Sequence, residues 1–255
     1  MEYIAWLIFI FFISYLVVKF TDDGDMPTSS NIVTNSHNMK NHISSNHSRN
    51  NMKLTFSYEP IELQPLEFSD EEYEEIYKYN TCNDFPNDFI TVDVETTGLS
   101  PKTQKIVQIS AIKYIDNEKT DEFNFYVNPE MHIPKKASSI HGIYDEDVEF
   151  ESTITDILPF FLDFIEDYTL VAHHASFDMK FIQLALALNG YEGLTNPVID
   201  TLSLARKYMN TQNHKLETLK DFLNIDATSH NALDDCMVAG EVYMYCKKCA
   251  SKHSA

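Results

Sequence analysis

A mixed sheet with helices on its faces, an α/β architecture, is what this sequence predicts for residues 81–250, and three observations carry that prediction. Three segments rich in β-branched and aromatic residues follow one another after Pro86. Beyond them, stretches with helical apolar spacing alternate with short apolar runs, the pattern of strands and helices in turn. At 44% hydrophobic residues, a chain of 255 residues also carries enough apolar material for one good-sized core.

Taken in order, F-I-T-V-D-V (89–94), K-I-V-Q-I-S-A-I-K-Y-I (105–115) and F-N-F-Y-V (123–127) read as strands, with D-N-E-K as the turn between the last two. A helix opens at Thr155-Asp156 and runs through Ile157, Leu158, Phe161, Phe164 and Ile165, with Pro159 near enough to its start to be tolerated. T-L-V-A-H is a short buried strand. Phe177, Phe181, Leu184, Ala185 and Leu188 space the next helix, for which Ser176 is the expected cap. A strand at P-V-I-D, helices at S-L-A-R-K-Y-M and L-E-T-L-K-D-F-L, and a final helix from about Asn231 to Cys249 complete the domain.

Three segments precede it. Residues 3–18 are apolar apart from Ser14, and residues 1–20 together reach the ~20 residues that a spanning helix needs. A cleaved signal peptide is the competing reading, but it wants a positive leader and a small-residue cleavage site, whereas this chain begins Met1-Glu2 and continues Lys19-Phe20-Thr21. Residues 1–20 are therefore read as a transmembrane anchor, and Lys19 just after the span leans the body towards the cytoplasm. Residues 21–58, crowded with Asn, Ser and His, read as a flexible linker. His37, His42 and His47 recur there five apart, which matches no helical face and suits solvated side chains better than a metal site. Residues 59–80 form an acidic segment in which Asp70-Glu71-Glu72 and Glu74-Glu75 alternate with Tyr73, Ile76, Tyr77 and Tyr79, and Ser69 stands where a short helix wants its cap. That helix is either a solvated element leaning on the main domain or a docking element for a basic partner.

Charge narrows the function. The chain carries a formal net charge of −20, and from Thr81 onward 14 Lys plus Arg face 27 Asp plus Glu. That is the wrong sign for broad capture of nucleic acid, so a polyanionic substrate must be gripped locally or through cations. Of the four cysteines only Cys246 and Cys249 have metal-like or redox-like spacing, and with no second pair to complete a zinc site they read as reduced structural thiols.

Against that background V-D-V-E-T-T-G-L-S (92–100) stands out, because Asp93 and Glu95 lie two apart in an apolar strand and so share one face. Two such carboxylates repel and resist desolvation, and divalent cations remove that penalty. Two other places supply acids. Asp178 falls in the first turn of a helix directly after a strand, and His230 stands at the start of the last helix with Asp235 five residues on.

D-V-E-T-T-G-L, H-H-A-S-F-D and H-N-A-L-D-D, in this order and spacing, resemble the three motifs of the DEDDh 3′-to-5′ exonucleases. N-P-E-M-H-I-P-K-K-A-S-S-I-H-G-I and V-I-D-T-L-S-L-A-R-K between them resemble the same family, most of all its DnaQ-like epsilon group, the proofreading subunits of bacterial DNA polymerase III. The resemblance implies a ribonuclease H-like fold with a five-stranded mixed sheet. It implies that Asp93, Glu95, Asp178 and Asp235 hold two Mg²⁺ or Mn²⁺ ions and that His230 acts as general base towards the attacking water, with release of nucleoside 5′-monophosphates from 3′ ends. The H-x4-D spacing selects Asp235 over its neighbour Asp234. The resemblance further implies that Thr96, Thr97, Gly98 and Leu99 hold the terminal nucleotide, and that His141, His174 and Phe177 lie on the substrate side. The family usually has Asn at the position of His174; both side chains donate a hydrogen bond, so altered substrate or pH dependence is expected there.

The expected substrate is a single-stranded or frayed DNA 3′ end, delivered in concert with a DNA polymerase or another replication or repair protein. An RNA-trimming exoribonuclease and a non-catalytic, membrane-tethered scaffold are the alternatives.

Overall fold

The computed structural model describes residues 68–227 and 231–253. The expected anchor (1–20), the linker (21–58) and the first part of the acidic segment (59–67) lie outside the described residues, as does His230. Among the described residues no helix is long and apolar enough to cross a membrane.

The chain runs α1 (Asp70–Ile76), β1 (Asn80–Thr81), β2 (Phe89–Thr96), β3 (Ile106–Ile115), β4 (Glu118–Tyr126), α2 (Lys135–His141), α3 (Asp145–Val148), α4 (Ile154–Ile165), β5 (Thr169–Ala172), α5 (Ser176–Leu188), β6 (Pro197–Asp200), α6 (Thr201–Tyr208), α7 (Leu216–Leu223) and α8 (Ala232–His253). The sheet order is β1-β6-β5-β2-β3-β4. Pairs from β1 to β2 across β6 and β5 are parallel, and β2-β3-β4 is an antiparallel meander.

The sheet is therefore mixed, as expected, but has six strands where five were expected. The addition is β1, whose two residues pair with Pro197 and Val198 at the sheet edge. Two residues are too few to carry a periodicity signal. The strand β4 begins at Glu118, five residues before the aromatic run that announces it, because its first half is an edge whose charged side chains face water. The two-turn helix α2, which opens after Pro134 without a side-chain cap, and the one-turn helix α3 were not expected.

Burial on the two faces of β2 sets up everything that follows. Ile90, Val92 and Val94 point to one side, into a core with Ile109, Leu158, Phe161, Met179 and Ile182 from β3, α4 and α5. Phe89 points to the other, where it joins Ile112, Tyr114, Val171, Cys236 and Tyr243 beneath α8. Phe89 lies flat on Tyr114, with ring centroids 4.6 Å apart. A Cβ at Gly240 would stand 2.7 Å from the Tyr114 hydroxyl, so only glycine lets α8 approach the sheet this closely. By strand alternation Asp93 and Glu95 share the side of Phe89, under α8.

Candidate active site

The sheet geometry explains how a strand carries charge inside. The parallel pairing of β2 with β5 ends at Thr91 and Val171, while β2 continues to Thr96. Val94 therefore has no β5 neighbour for its N–H, and Asp178 Oδ1 accepts that bond at 3.2 Å. Asp178 is itself buried, at 2% exposure, in the first turn of α5. A register irregularity between Glu95 and Thr96 ends the regular ladder, a place where side chains are re-aimed.

From the opposite side α8 brings Asp235. Its start is fixed by Asn231, whose Oδ1 accepts the N–H groups of Leu233 (3.1 Å) and Asp234 (3.3 Å) while its carbonyl accepts that of Asp235 (2.9 Å). One carboxylate oxygen each from Asp93, Glu95 and Asp235 then lies within 4.8 Å of the others, a spacing suited to a shared cation. Asp234, the preceding residue, is not in this group.

Electrostatics bind the four acids into one unit. Burial, and then the charges of Asp178, Asp235 and Glu95, hold the Asp93 carboxyl well above the ordinary carboxylate range. Glu95 is pushed up to about 7, by burial and then by Asp235. Asp178 is pushed up to about 8, mainly by burial, even though its bonds to backbone N–H groups work in the other direction. A buried site with excess negative charge and carboxylate oxygen donors fits hard divalent ions.

The loop after β2 is held by its own threonines. Thr96 donates to the Gly98 carbonyl (2.8 Å), and Thr97 donates to Gln104 Oε1 (2.8 Å) while accepting the Lys105 N–H (2.9 Å). Both threonines are buried, whereas Leu99 projects with 82% of its surface exposed. A Cβ at Gly98 would stand 3.1 Å from the Gln104 side chain, so the glycine lets the loop close over it. Met131, which sequence reasoning did not single out, has its sulfur 3.8 Å from the Thr97 hydroxyl.

The remaining expected residues divide. Phe177 is half-buried, 5.1 Å from Phe181 between ring centroids, and packs against the core. His141, at the C-terminal end of α2, accepts the Ile143 N–H on Nδ1 at 3.0 Å. His174 is exposed and has φ +64°. Asn and His are among the few side chains that adopt this left-handed conformation readily, so a backbone requirement accounts for a position that accepts either.

Ser176 does not cap α5, contrary to expectation. It is the first helical residue, and Ala175 occupies the cap position without a side-chain bond. The turn is held by Asp200 instead. Its Oδ1 accepts the N–H groups of His174 (2.9 Å), Ala175 (3.4 Å) and Leu202 (3.1 Å), and its Oδ2 accepts the Ser203 hydroxyl at 2.7 Å. Sequence reasoning missed Asp200, although an Asp between a strand and a helix is a cap signal.

Known proteins resemble this chain over the same domain. The PolC-type DNA polymerase III of Thermotoga maritima is 35% identical over 157 residues, 61% of this chain and 12% of the polymerase. That of Clostridium perfringens is 37% identical over 163 residues, 63% of this chain and 11% of the polymerase. This chain thus spans only a small part of the polymerases it matches. Among solved structures, Exonuclease X in complex with 5′ overhanging duplex DNA superposes with a TM-score of 0.54 at 23% identity, covering 64% of this chain and 93% of that one. E. coli Exonuclease I in complex with a dT13 oligonucleotide gives 0.60 at 17% identity, over 66% of this chain and 42% of that one. These likenesses show the fold. The family described as Exonuclease matches residues 90–243, a stretch that runs from the start of β2 into α8 and includes all four carboxylates; the chain belongs to this family, the DEDD-type 3′-to-5′ exonucleases.

Proposed function

We propose that this chain is a metal-dependent 3′-to-5′ exonuclease that releases nucleoside 5′-monophosphates from single-stranded or frayed DNA 3′ ends. The observation that carries the reading is the convergence of Asp93, Glu95 and Asp235 within 4.8 Å, with burial, and then the charge of Asp178, holding the Asp93 carboxyl up beside them. Two Mg²⁺ or Mn²⁺ ions bound by these four residues would supply positive charge to the scissile phosphate and the departing 3′ oxygen. The chain's own tasks are then orientation and proton transfer. The Thr96–Leu99 loop grips the terminal nucleotide, with the exposed Leu99 side chain offered to its base, and His230 takes the proton of the attacking water.

The acidic balance of the domain supports a grip confined to a few nucleotides in place of a long duplex track. The polymerases among its relatives support a replication or repair polymerase as the partner that delivers the end. We further propose that residues 1–20 anchor the chain as a single-pass membrane protein with its exonuclease domain in the cytoplasm, on the strength of the apolar run and Lys19.

One preparation tests both readings. The full-length chain is given 3′-labelled DNA and RNA single strands of equal sequence with Mg²⁺, Mn²⁺ or chelator, and is fractionated with and without residues 1–20. Stepwise, metal-dependent release of 5′-monophosphates from DNA, cut by about 10³-fold or more in Asp93→Ala, is the expected result. Release from RNA alone would replace the substrate class, and no release from either would sink the activity. A full-length chain that stays in the supernatant would remove the anchor.

A further inference from the structure

The loop that carries Thr96–Leu99 buries its threonines, exposes Leu99 and continues into residues that border a cleft. Pro101, Lys102, Gln104 and Lys105 line a cleft of about 630 Å³ together with Tyr73 of α1 and Leu184 and Leu188 of α5. A segment that borders a cleft is fixed by its internal bonds and by the elements that hold it from beside the cleft. Internally, Gln104 N–H bonds the Ser100 carbonyl (2.9 Å), Thr97 N–H bonds the Lys105 carbonyl (2.8 Å), and the Gln104 side chain touches both Thr97 and Gly98.

The second hold on the loop comes from α1, whose Tyr73 lines the same cleft. Lys102 Nζ lies 4.3 Å from the centroid of the Tyr73 ring and 2.6 Å from Asp70 Oδ1. The ion pair is solvated and weak on its own, so the ring face and the lysine stem carry most of the contact. α1 is in turn pinned to α5. Tyr77 is buried, Lys180 Nζ lies 5.5 Å from its ring centroid, and the buried Gln183 donates to the Lys78 carbonyl at 3.0 Å. Phe68 meets Tyr73 edge-on, and Tyr73 stacks on Tyr77. The whole element precedes residues 90–243, the stretch that matches the exonuclease family.

We propose that α1 is a clamp that positions the nucleotide-gripping loop, with Lys102 as a positioning residue that acts through Gln104 and Thr97 on Gly98 and Leu99. The inference rests on the exonuclease reading, since it assigns a purpose to the loop which that reading places at the 3′-terminal nucleotide. Lys102 belongs to neither the carboxylate group nor the gripping residues. Its loss weakens capture of the 3′ end more than the chemical step.

The test uses the full-length chain and three substitutions: Lys102→Ala, Lys102→Arg and Tyr73→Leu. Two readouts are taken, the steady-state split between KM and kcat on single-stranded DNA, and amide hydrogen exchange across residues 97–105 without substrate. Lys102→Ala is expected to raise KM about three- to tenfold with kcat changed less than about twofold, and to speed exchange at Thr97, Gln104 and Lys105. Tyr73→Leu should act in the same direction. Lys102→Arg should restore both readouts, because a guanidinium keeps the ring contact and the ion pair. Unchanged exchange in Lys102→Ala and Tyr73→Leu would overturn the clamp. Faster exchange with unchanged KM would overturn its role in substrate capture. If the unaltered chain released no nucleotide, the exonuclease reading would fail by itself, and the exchange data alone would decide whether α1 holds the loop.

Discussion

Two sets of acids in this molecule do opposite things. On α1 and at the start of α3, the exposed Asp70 and Glu72 and the half-buried Asp145 have their pKa values lowered, by Lys102, by Ser69, and by the Ile133 N–H with His132, respectively. In the corner where β2 outruns β5, burial and mutual repulsion raise Asp93, Glu95 and Asp178. The first set caps helices and meets cations, so its ionised form favours the folded chain. The second set works against the fold whenever it is ionised without a counter-charge. An acidic composition alone does not distinguish the two. Position relative to helix starts and to the last paired residue of a parallel strand does.

The largest expected effect exploits that contrast. A carboxyl raised in the folded state contributes stability that is present below its unfolded pKa and lost as pH rises through its folded value. For Asp178 that window runs from 3.8 to about 8, and for Glu95 from 4.5 to about 7. In chelator the melting temperature should therefore fall as pH rises from about 4 to about 8, and Mg²⁺ should flatten the slope. The lowered acids have the opposite sign and lose their contribution only as pH falls below their ordinary values. Asp178→Asn keeps an acceptor for the Val94 N–H and removes only the charge. It should raise the chelated chain's melting temperature at pH 8, by about 2–4 °C per kcal/mol of repulsion removed, while abolishing nucleotide release. A flat profile in chelator would break the comparison.

Asp200 sharpens it with a smaller effect, because this acid serves the fold and the corner at once. It caps α6 and holds the turn from His174 to Ala175 that leads to Asp178. Asp200→Ala leaves three N–H groups to find new partners, and should cost about 1–3 kcal/mol in denaturant unfolding together with a fall in kcat. Asn at this position should recover most of the stability. A variant with full stability and full turnover would show that the turn is held by other means.

How far these features were legible follows from their length and range. Asp93 and Glu95 could be read from the alternation of a strand of eight residues, a local signal, whereas Asp178 and Asp235 were singled out by the resemblance of their motifs, and the cap expected at Ser176 is absent. β1 and α3, of two and four residues, carried no pattern that was read, and α2 opens after Pro134 without the side-chain cap that announced α1. Asp200 carried a cap signal that pointed to α6, but its bonds to residues 174 and 175 join segments 25 and 26 residues apart. The contact of Lys102 with Asp70 spans 32 residues and arises only when the sheet brings the loop to α5. The fold was legible where it was local, and the supports of the site were not.

The smallest effect lies on the exposed set. Ser69 accepts the Glu72 N–H at 3.3 Å while Glu72 accepts the Ser69 N–H at 2.7 Å, a reciprocal cap at the start of α1. Ser69→Ala removes one half of that pair and should cost about 0.5–2 kcal/mol of helix stability, read as faster amide exchange in residues 70–77. Because α1 is seven residues long and holds Lys102 through Tyr73, fraying should also reach the loop, as a rise in KM smaller than that of Lys102→Ala. The carboxylate corner shares no bond with Ser69, so the pH profile in chelator should be unchanged. An altered profile would mean that the two sets of acids are coupled through the fold, and that the separation drawn between them is wrong.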